Sequence, residues 1–272
     1  MAVPRWLQLG FMNTVDAAMA CVPRSRPSRE SLGRCRIIAH RGSPKSGILE
    51  NSLDAFEGAI RDGAWAIEFD VRWTKDDVPV IYHDRDLTRL FGLETVLADT
   101  EFEKLRSSRP EIATLEEVLK KFGRRAHLMI EVKREREALS RRRLDIFKEH
   151  LRDLTPATDF HLMSLHAPSL LACDFVPRRA MLPVAEINVT EVSTLALREK
   201  MAGFSGQYAL TGAKVVARHL EAGQIVGTGF INSRSVLRRE LARGVNWIFT
   251  NHAAEVKQLL ESELRLAESA TA

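Results

Sequence analysis

The sequence predicts an α/β protein built as a (β/α)8 barrel with a short N-terminal extension, and three observations carry that expectation. From residue 36 onward, short β-branched runs alternate with longer stretches of helical periodicity. Several of those stretches close on glycine, at Gly63, Gly123, Gly223 and Gly244, where a left-handed helix terminator is expected. Polar residues inside the apolar runs gather at the C-terminal end of each run, the end at which a parallel barrel presents its rim.

In chain order, the strand candidates are "RIIAH", "WAIEFDV", "VPVIYH", "HLMIEVK", "FHLMSL", "AMLPVAE", "QIVGTGF" and "NWIFT". Helical stretches lie between most of them: "SLDAFEGAIRDG", "TLEEVLKKFG", "RRLDIFKEHLRDL", "EVSTLALREKM", "AKVVARHLEAG", "SVLRRELARG" and "HAAEVKQLLESEL". Strand, helix and terminating glycine in regular succession indicate parallel βαβ units. A doubly wound open sheet uses the same alternation and is the structural alternative. Ahead of the barrel, "PRSRPSRESLGR" (residues 23–34) is too poor in apolar surface to order itself and reads as a linker. The expected organisation is an extension and linker over 1–35, a barrel over 36–265 and a tail over 266–272.

The chain has 272 residues, 45% hydrophobic and 28% charged, within the range of a globular protein with a sizeable core. Its net charge of +4 arises from 40 basic and 36 acidic residues, too even a balance to indicate nucleic acid. The basic run "KREREALSRRR" mixes both signs without interleaved aromatics, so it reads as a solvated loop and helix start. Cys21, Cys35 and Cys173 form no paired metal-type spacing, which points to reduced thiols. No apolar run approaches the roughly 20 residues of a membrane span, and the first 21 residues make a poor secretory signal; a cytoplasmic location is expected. Trp6, Leu7, Phe11, Val15 and Met19 nearly form a helical stripe, suited to packing or to a peripheral membrane contact.

The chemistry lies in the polar strand residues. Side chains alternate along a strand, so Glu68 and Asp70 share one face while Ile67, Phe69 and Val71 share the other. The same parity sets His40 apart from Ala39, His83 from Tyr82, and Glu131 and Lys133 from Val132. Clustering carboxylates inside a barrel costs several kcal/mol per charge unless a cation compensates. Glu68, Asp70 and Glu131 offer hard oxygen ligands suited to Mg²⁺ or Ca²⁺. His40 and His83 are candidates for acid and base, and Arg41 and Lys133 for phosphate binding. Singly, each has a bland reading as a salt-bridge or hydrogen-bonding residue. Their convergence from four runs does not.

The motifs "AHRG", Glu50–Asn51, "EFD", "PVIYHD", "PEIATLEEVLKKFG", "IEVK" and "GVNWIFTN" resemble, in order and spacing, the glycerophosphodiester phosphodiesterase family over residues 36–262. The resemblance implies a (β/α)8 barrel that hydrolyses glycerophosphodiesters to glycerol 3-phosphate and an alcohol with one divalent cation. It implies His40 and His83 as the acid/base pair, Glu68, Asp70 and Glu131 as metal ligands, and Arg41 and Lys133 as phosphate contacts. Glu50 would be a ligand or lie just outside the ligands, and Asn51 would orient them. Two positions depart from the family pattern: Phe230 takes the place of a tryptophan near the seventh strand, and Asn251 takes the place of an aspartate. Two other readings remain: a lysophospholipase D acting on lipid-tailed diesters through the same residues, distinguished by an apolar mouth, and a non-catalytic phosphate-binding barrel.

Overall fold

The computed structural model describes residues 17–44 and 47–269. Its strands are β1 (Arg36–His40), β2 (Ala66–Trp73), β3 (Pro79–Ile81), β4 (His127–Val132), β5 (Phe160–Ser164), β6 (Met181–Ala185), β7 (Gly203–Gln207), β8 (Ile225–Gly229) and β9 (Trp247–Thr250). All except β3 run parallel and close into a ring, because β1 pairs with both β2 and β9. This is the expected (β/α)8 barrel, with helices around the outside.

One expected strand lies elsewhere in the structure, and one barrel strand was not among those expected. "VPVIYH" does not join the barrel: Pro79–Ile81 lies antiparallel on the far end of β2, pairing Val71 with Ile81 and Trp73 with Pro79. His83 therefore follows a short strand beside the mouth rather than ending a barrel strand. The remaining barrel strand is β7, "GFSGQ", whose composition carries little strand signal. Close packing explains that composition, since a Cβ on Gly203 would lie 1.8 Å from the carbonyl oxygen of Ile225 on β8. Among the helix-ending glycines, Gly63, Gly223 and Gly244 have positive φ, whereas Gly123 is right-handed at φ −51° and simply caps Leu115–Phe122.

Helices start where the sequence provides caps. Thr114 and Glu117 form a reciprocal capping box at the start of Leu115–Phe122, and Ser52, Ser140 and Ser233 each accept a bond from the first turn they precede. Phe56, Phe69 and Phe122 pack ring against ring between helices and sheet. Inside the barrel, Ile38, Met129, Met163, Leu182 and Phe249 fill the middle. Part of the residue 23–34 stretch is helical: Arg29–Gly33, capped by Ser28, buries Leu32 against Arg234–Ala242 and Ala253–Ser269. The aromatic-aliphatic stripe ahead of it lies, through residue 16, outside the described residues. Among the described residues no helix is long and apolar enough to cross a membrane.

At the N-terminal end of the barrel, His127 and His161 form a buried pair, Nε2 to Nδ1 at 2.8 Å, with His127 Nδ1 donating to the Thr158 carbonyl at 2.9 Å. Trp65 stacks on His127 with ring centroids 4.4 Å apart, and Trp247 meets both imidazoles edge-on. Both rings are neutral in this arrangement. Burial lowers His127 to about 4 and His161 to about 3, the His127 charge adding to the second shift. Near β8, Glu240 is fully buried and clamps its helix to the sheet: Oε2 accepts from Thr228 Oγ1 at 2.9 Å and from Arg243 Nη2 at 2.5 Å, and Oε1 from Arg239 Nη1 at 2.6 Å.

Because the unfolded imidazoles titrate near 6.5 and the folded ones lower, the unfolded state binds more protons between those values. Stability should therefore fall as pH drops from about 6.5 toward about 4. In denaturant melts across that range, His161→Gln should flatten the slope by about one proton, roughly 1.4 kcal/mol per pH unit; an unchanged slope would mean the pair does not titrate on unfolding. Glu240→Ala should cost about 3–5 kcal/mol of unfolding free energy in urea, because it strands two guanidinium groups.

Candidate active site

The site is built where β1, β2 and β4 end. β1 stops at His40, and the chain then turns through Arg41 at φ 55° and Gly42 at φ 83°. A Cβ at Gly42 would lie 2.7 Å from the backbone of Ala55, so this turn requires the glycine of "HRG". The turn aims the Arg41 backbone N–H at Glu68 Oε2, 2.9 Å away. Its guanidinium reaches Glu50 Oε1 through Nη1 at 2.9 Å and lies 3.4 Å from Asp70 Oδ2 through Nε. Asn51, also left-handed at φ 57°, donates through Nδ2 to Asp70 Oδ2 at 2.6 Å and accepts from the Asp70 backbone N–H at 3.3 Å. Left-handed backbone costs a side-chain-bearing residue about 1–2 kcal/mol, and here it is spent on two residues that grip the carboxylates.

Glu68 and Asp70 project inward from β2, and Glu131, paired in register with Asp70, projects from β4. One oxygen from each lies within 4.8 Å of the others, and all three residues are buried. Lys133 sits between two of them, with Nζ 2.7 Å from Glu131 Oε1 and 2.8 Å from Asp70 Oδ1. Lys133 and Arg41 hold the Asp70 carboxyl far below the usual carboxylate range against the opposing effect of burial. The other two carboxyls move the opposite way. Burial, reinforced by Asp70 and Glu131, pushes Glu68 well above its ordinary value, and burial with the Asp70 charge raises Glu131. Glu68 Oε1 is buried with no hydrogen-bond partner. Three carboxylates facing two cations, with one oxygen left unsatisfied, suit a hard divalent cation in their midst.

The two histidines flank this cluster with different partners. His40 Nδ1 meets Asn251 Oδ1 at 2.7 Å, its Nε2 lies 3.9 Å from Glu68 Oε2, and the Phe230 ring meets it edge-on at 4.7 Å between centroids. His83 Nδ1 meets Asp84 Oδ1 at 2.7 Å. Asp84 Oδ2 accepts from Arg89 Nε at 2.5 Å, and Arg89 continues to Glu50 through Nη2 at 2.5 Å and Nη1 at 3.1 Å. A continuous chain thus links His83, Asp84, Arg89, Glu50 and Arg41. Burial lowers both histidines to about 4, with Arg41 adding to the effect at His40.

All the site residues expected from the sequence gather at this end of the barrel. Glu50 is engaged by two arginines rather than by the carboxylate cluster. Sequence reasoning passed over Asp84 and Arg89. The adjacent "HD" could have signalled the first, whereas the second is brought in only by the small apolar core of Tyr82, Leu87, Leu97 and Leu105 beside β3. Asn251, noted only as a departure, proves to be the partner of His40.

Residues 40–255 match the sequence profile of the glycerophosphoryl diester phosphodiesterase family. A glycerophosphodiester phosphodiesterase from Bacillus altitudinis is 28% identical over 231 residues, covering 79% of this chain and 94% of that protein. A mouse lysophospholipase D is 32% identical over 121 residues, 38% of this chain and 36% of the mouse protein. Among solved structures, the glycerophosphodiester phosphodiesterase of Thermotoga maritima superposes with a TM-score of 0.69 at 22% identity, covering 83% of this chain and 98% of that one. An Oleispira antarctica phosphodiesterase in complex with its product sn-glycerol-3-phosphate also gives 0.69, at 21% identity over 83% and 96%. The two structures share the fold, and the profile spans nearly every residue that builds the barrel mouth, so the chain belongs to the glycerophosphoryl diester phosphodiesterase family.

Proposed function

We propose that this phosphodiester hydrolase cleaves glycerophosphodiesters to sn-glycerol 3-phosphate and an alcohol, with one divalent cation, Mg²⁺ or Ca²⁺, held by Glu68, Asp70 and Glu131. The observation that carries the reading is the set of three buried carboxylates whose oxygens converge within 4.8 Å while one stays unsatisfied. When bound, the cation neutralises charge on a phosphate oxygen and helps orient the nucleophile. The product complex of the Oleispira enzyme supports glycerol phosphate as the retained half of the substrate.

Arg41 and Lys133 border the cluster and take the phosphate, the first as a planar fork and the second as a point charge. His40 and His83 exchange the protons. The amide oxygen of Asn251 keeps the His40 proton on Nδ1 and leaves Nε2 free, which favours His40 as the acceptor from the attacking hydroxyl. The Asp84 carboxylate works against the burial that lowers His83, which favours His83 over His40 as the group that carries a proton to the leaving alkoxide. Phe230 walls the site beside His40.

Chelation should abolish release of glycerol 3-phosphate, and excess Mg²⁺ or Ca²⁺ should restore it. In thermal melts, saturation at about 100 times the dissociation constant should add roughly 2.7 kcal/mol to wild type and little to Glu68→Gln. Without a cation site, Glu68→Gln would only relieve crowding and stabilise the fold, so equal stabilisation of both proteins by the ion would refute the assignment. His40→Ala and His83→Ala should each lower turnover by on the order of 10²- to 10⁴-fold with the fold intact by circular dichroism. Either variant turning over within a few-fold of wild type would remove that residue from the mechanism.

A further inference from the structure

His83 reaches the mouth from outside the barrel, so it lies beyond the parallel register that sets His40 beside Glu68 and Asp70 beside Glu131. Its backbone is held from β2 instead. Arg72, two residues beyond Asp70 on the same face of that strand, donates through Nε to the His83 carbonyl at 2.8 Å, and the Tyr82 backbone N–H donates to the Asp70 carbonyl at 3.0 Å. These bonds fix the main chain but leave the imidazole free to turn about its side-chain bonds. Asp84 fixes the ring, accepting from Nδ1 through Oδ1 at 2.7 Å and leaving Nε2 for the substrate. The second oxygen of Asp84 accepts from Arg89 Nε at 2.5 Å.

Arg89 is itself firmly placed. It lies in the short helix Thr88–Phe91, which opens with the Thr88 N–H donating to Asp86 Oδ1 at 2.9 Å and ends at the left-handed Gly92, φ 68°. On either side of it, Leu87 is fully buried and the Phe91 ring stacks on Tyr82 with 17° between planes. From there the guanidinium spans two carboxylates of different origin: Nε serves Asp84, while Nη1 and Nη2 take the two oxygens of Glu50 at 3.1 and 2.5 Å. Glu50 belongs to the segment after β1 and also accepts from Arg41. None of these bonds reaches Glu68, Asp70 or Glu131. An ordinary exposed ion pair contributes about 0–1 kcal/mol and holds no single geometry. A planar fork that meets two carboxylates through three nitrogens has one orientation.

We propose that Arg89 is a positioning residue for phosphodiester cleavage: it holds the Asp84 carboxylate, and through it the His83 imidazole, in line with the leaving headgroup oxygen, and ties that alignment to the phosphate site through Glu50 and Arg41. The inference rests on the role given to His83 above. In that step the nucleophile's hydroxyl oxygen adds to phosphorus and gives its proton to His40. The bond from phosphorus to the headgroup oxygen breaks, its electron pair stays on that oxygen, and the proton from His83 neutralises it. A misaligned His83 therefore slows the loss of a basic alkoxide, whereas an anion that is stable without a proton still departs.

The test uses the full chain with its cation and compares glycerophosphoethanolamine, which loses an alkoxide, with glycerophospho-p-nitrophenol, which loses a stable phenoxide. Arg89→Ala should lower kcat on the first by about 10- to 100-fold, the usual cost of removing a group that orients a functional side chain, with KM changed less than about threefold. On the nitrophenyl diester it should stay within about threefold of wild type, because no proton is needed there. Thermal stabilisation by Mg²⁺ should persist in the variant. In a His83→Ala background, adding Arg89→Ala should cost less than about twofold on glycerophosphoethanolamine, since the group it orients is gone. An equal loss on both diesters, or loss of the Mg²⁺ stabilisation, would mean general damage to the site and would overturn the inference. So would a raised KM with kcat unchanged, the signature of a substrate contact, or a full loss persisting without His83. Arg89→Ala within about twofold of wild type while His83→Ala is impaired would overturn the inference and leave the phosphodiesterase reading intact. His83→Ala within a few-fold of wild type on glycerophosphoethanolamine would overturn the role of His83 and the inference with it.

Discussion

The structure turns on a charge mismatch at the end of β2. Glu68, Asp70 and Glu131 are buried within a few ångströms of one another, and Arg41 and Lys133 answer only part of that charge. In a low-dielectric interior such a cluster is costly, so its surroundings are organised to contain it. The left-handed turn at Arg41, the bare Cα of Gly42 pressed against Ala55 and the strained Asn51 all serve to bring donors to carboxylate oxygens. What those donors leave unsatisfied, chiefly at Glu68, is what a divalent cation would complete.

Containing the cluster also positions the groups around it. Glu50, drawn in by Arg41, continues through Arg89 to Asp84 and so to His83, so the residue that steadies Arg41 is also linked to the distant histidine. His40 is held separately, by an amide at the end of β9. The two imidazoles therefore differ in their partners, an amide oxygen at His40 and a carboxylate at His83, rather than in their burial.

Stability is organised at the other end and around the outside. The ring cluster of Trp65, His127, His161 and Trp247 closes the N-terminal end of the barrel, and Glu240 ties a helix to β8 through Thr228 and two arginines. With the fold anchored there, the C-terminal rim is free to carry strained backbone and unbalanced charge. A parallel barrel permits this division because every strand delivers its last residue to the same edge.

Most of the barrel was legible in the sequence, because β-branched runs, capped helices and terminating glycines are local signals. The carboxylates and histidines were legible too, since strand parity isolates them from their apolar neighbours. Tertiary structure alone decided which segments close the ring. β7 is glycine-rich because its neighbour passes too close for a side chain, and β3, though more strand-like in composition, lies antiparallel beside the mouth and delivers His83 from outside the barrel. Tertiary structure also decided the partners: Asn251 lies 211 residues from His40, and Arg89 lies 39 residues from Glu50, separations over which no periodicity operates. Parity and propensity act between neighbours in the chain, whereas pairing and charge balance arise only when the ring closes.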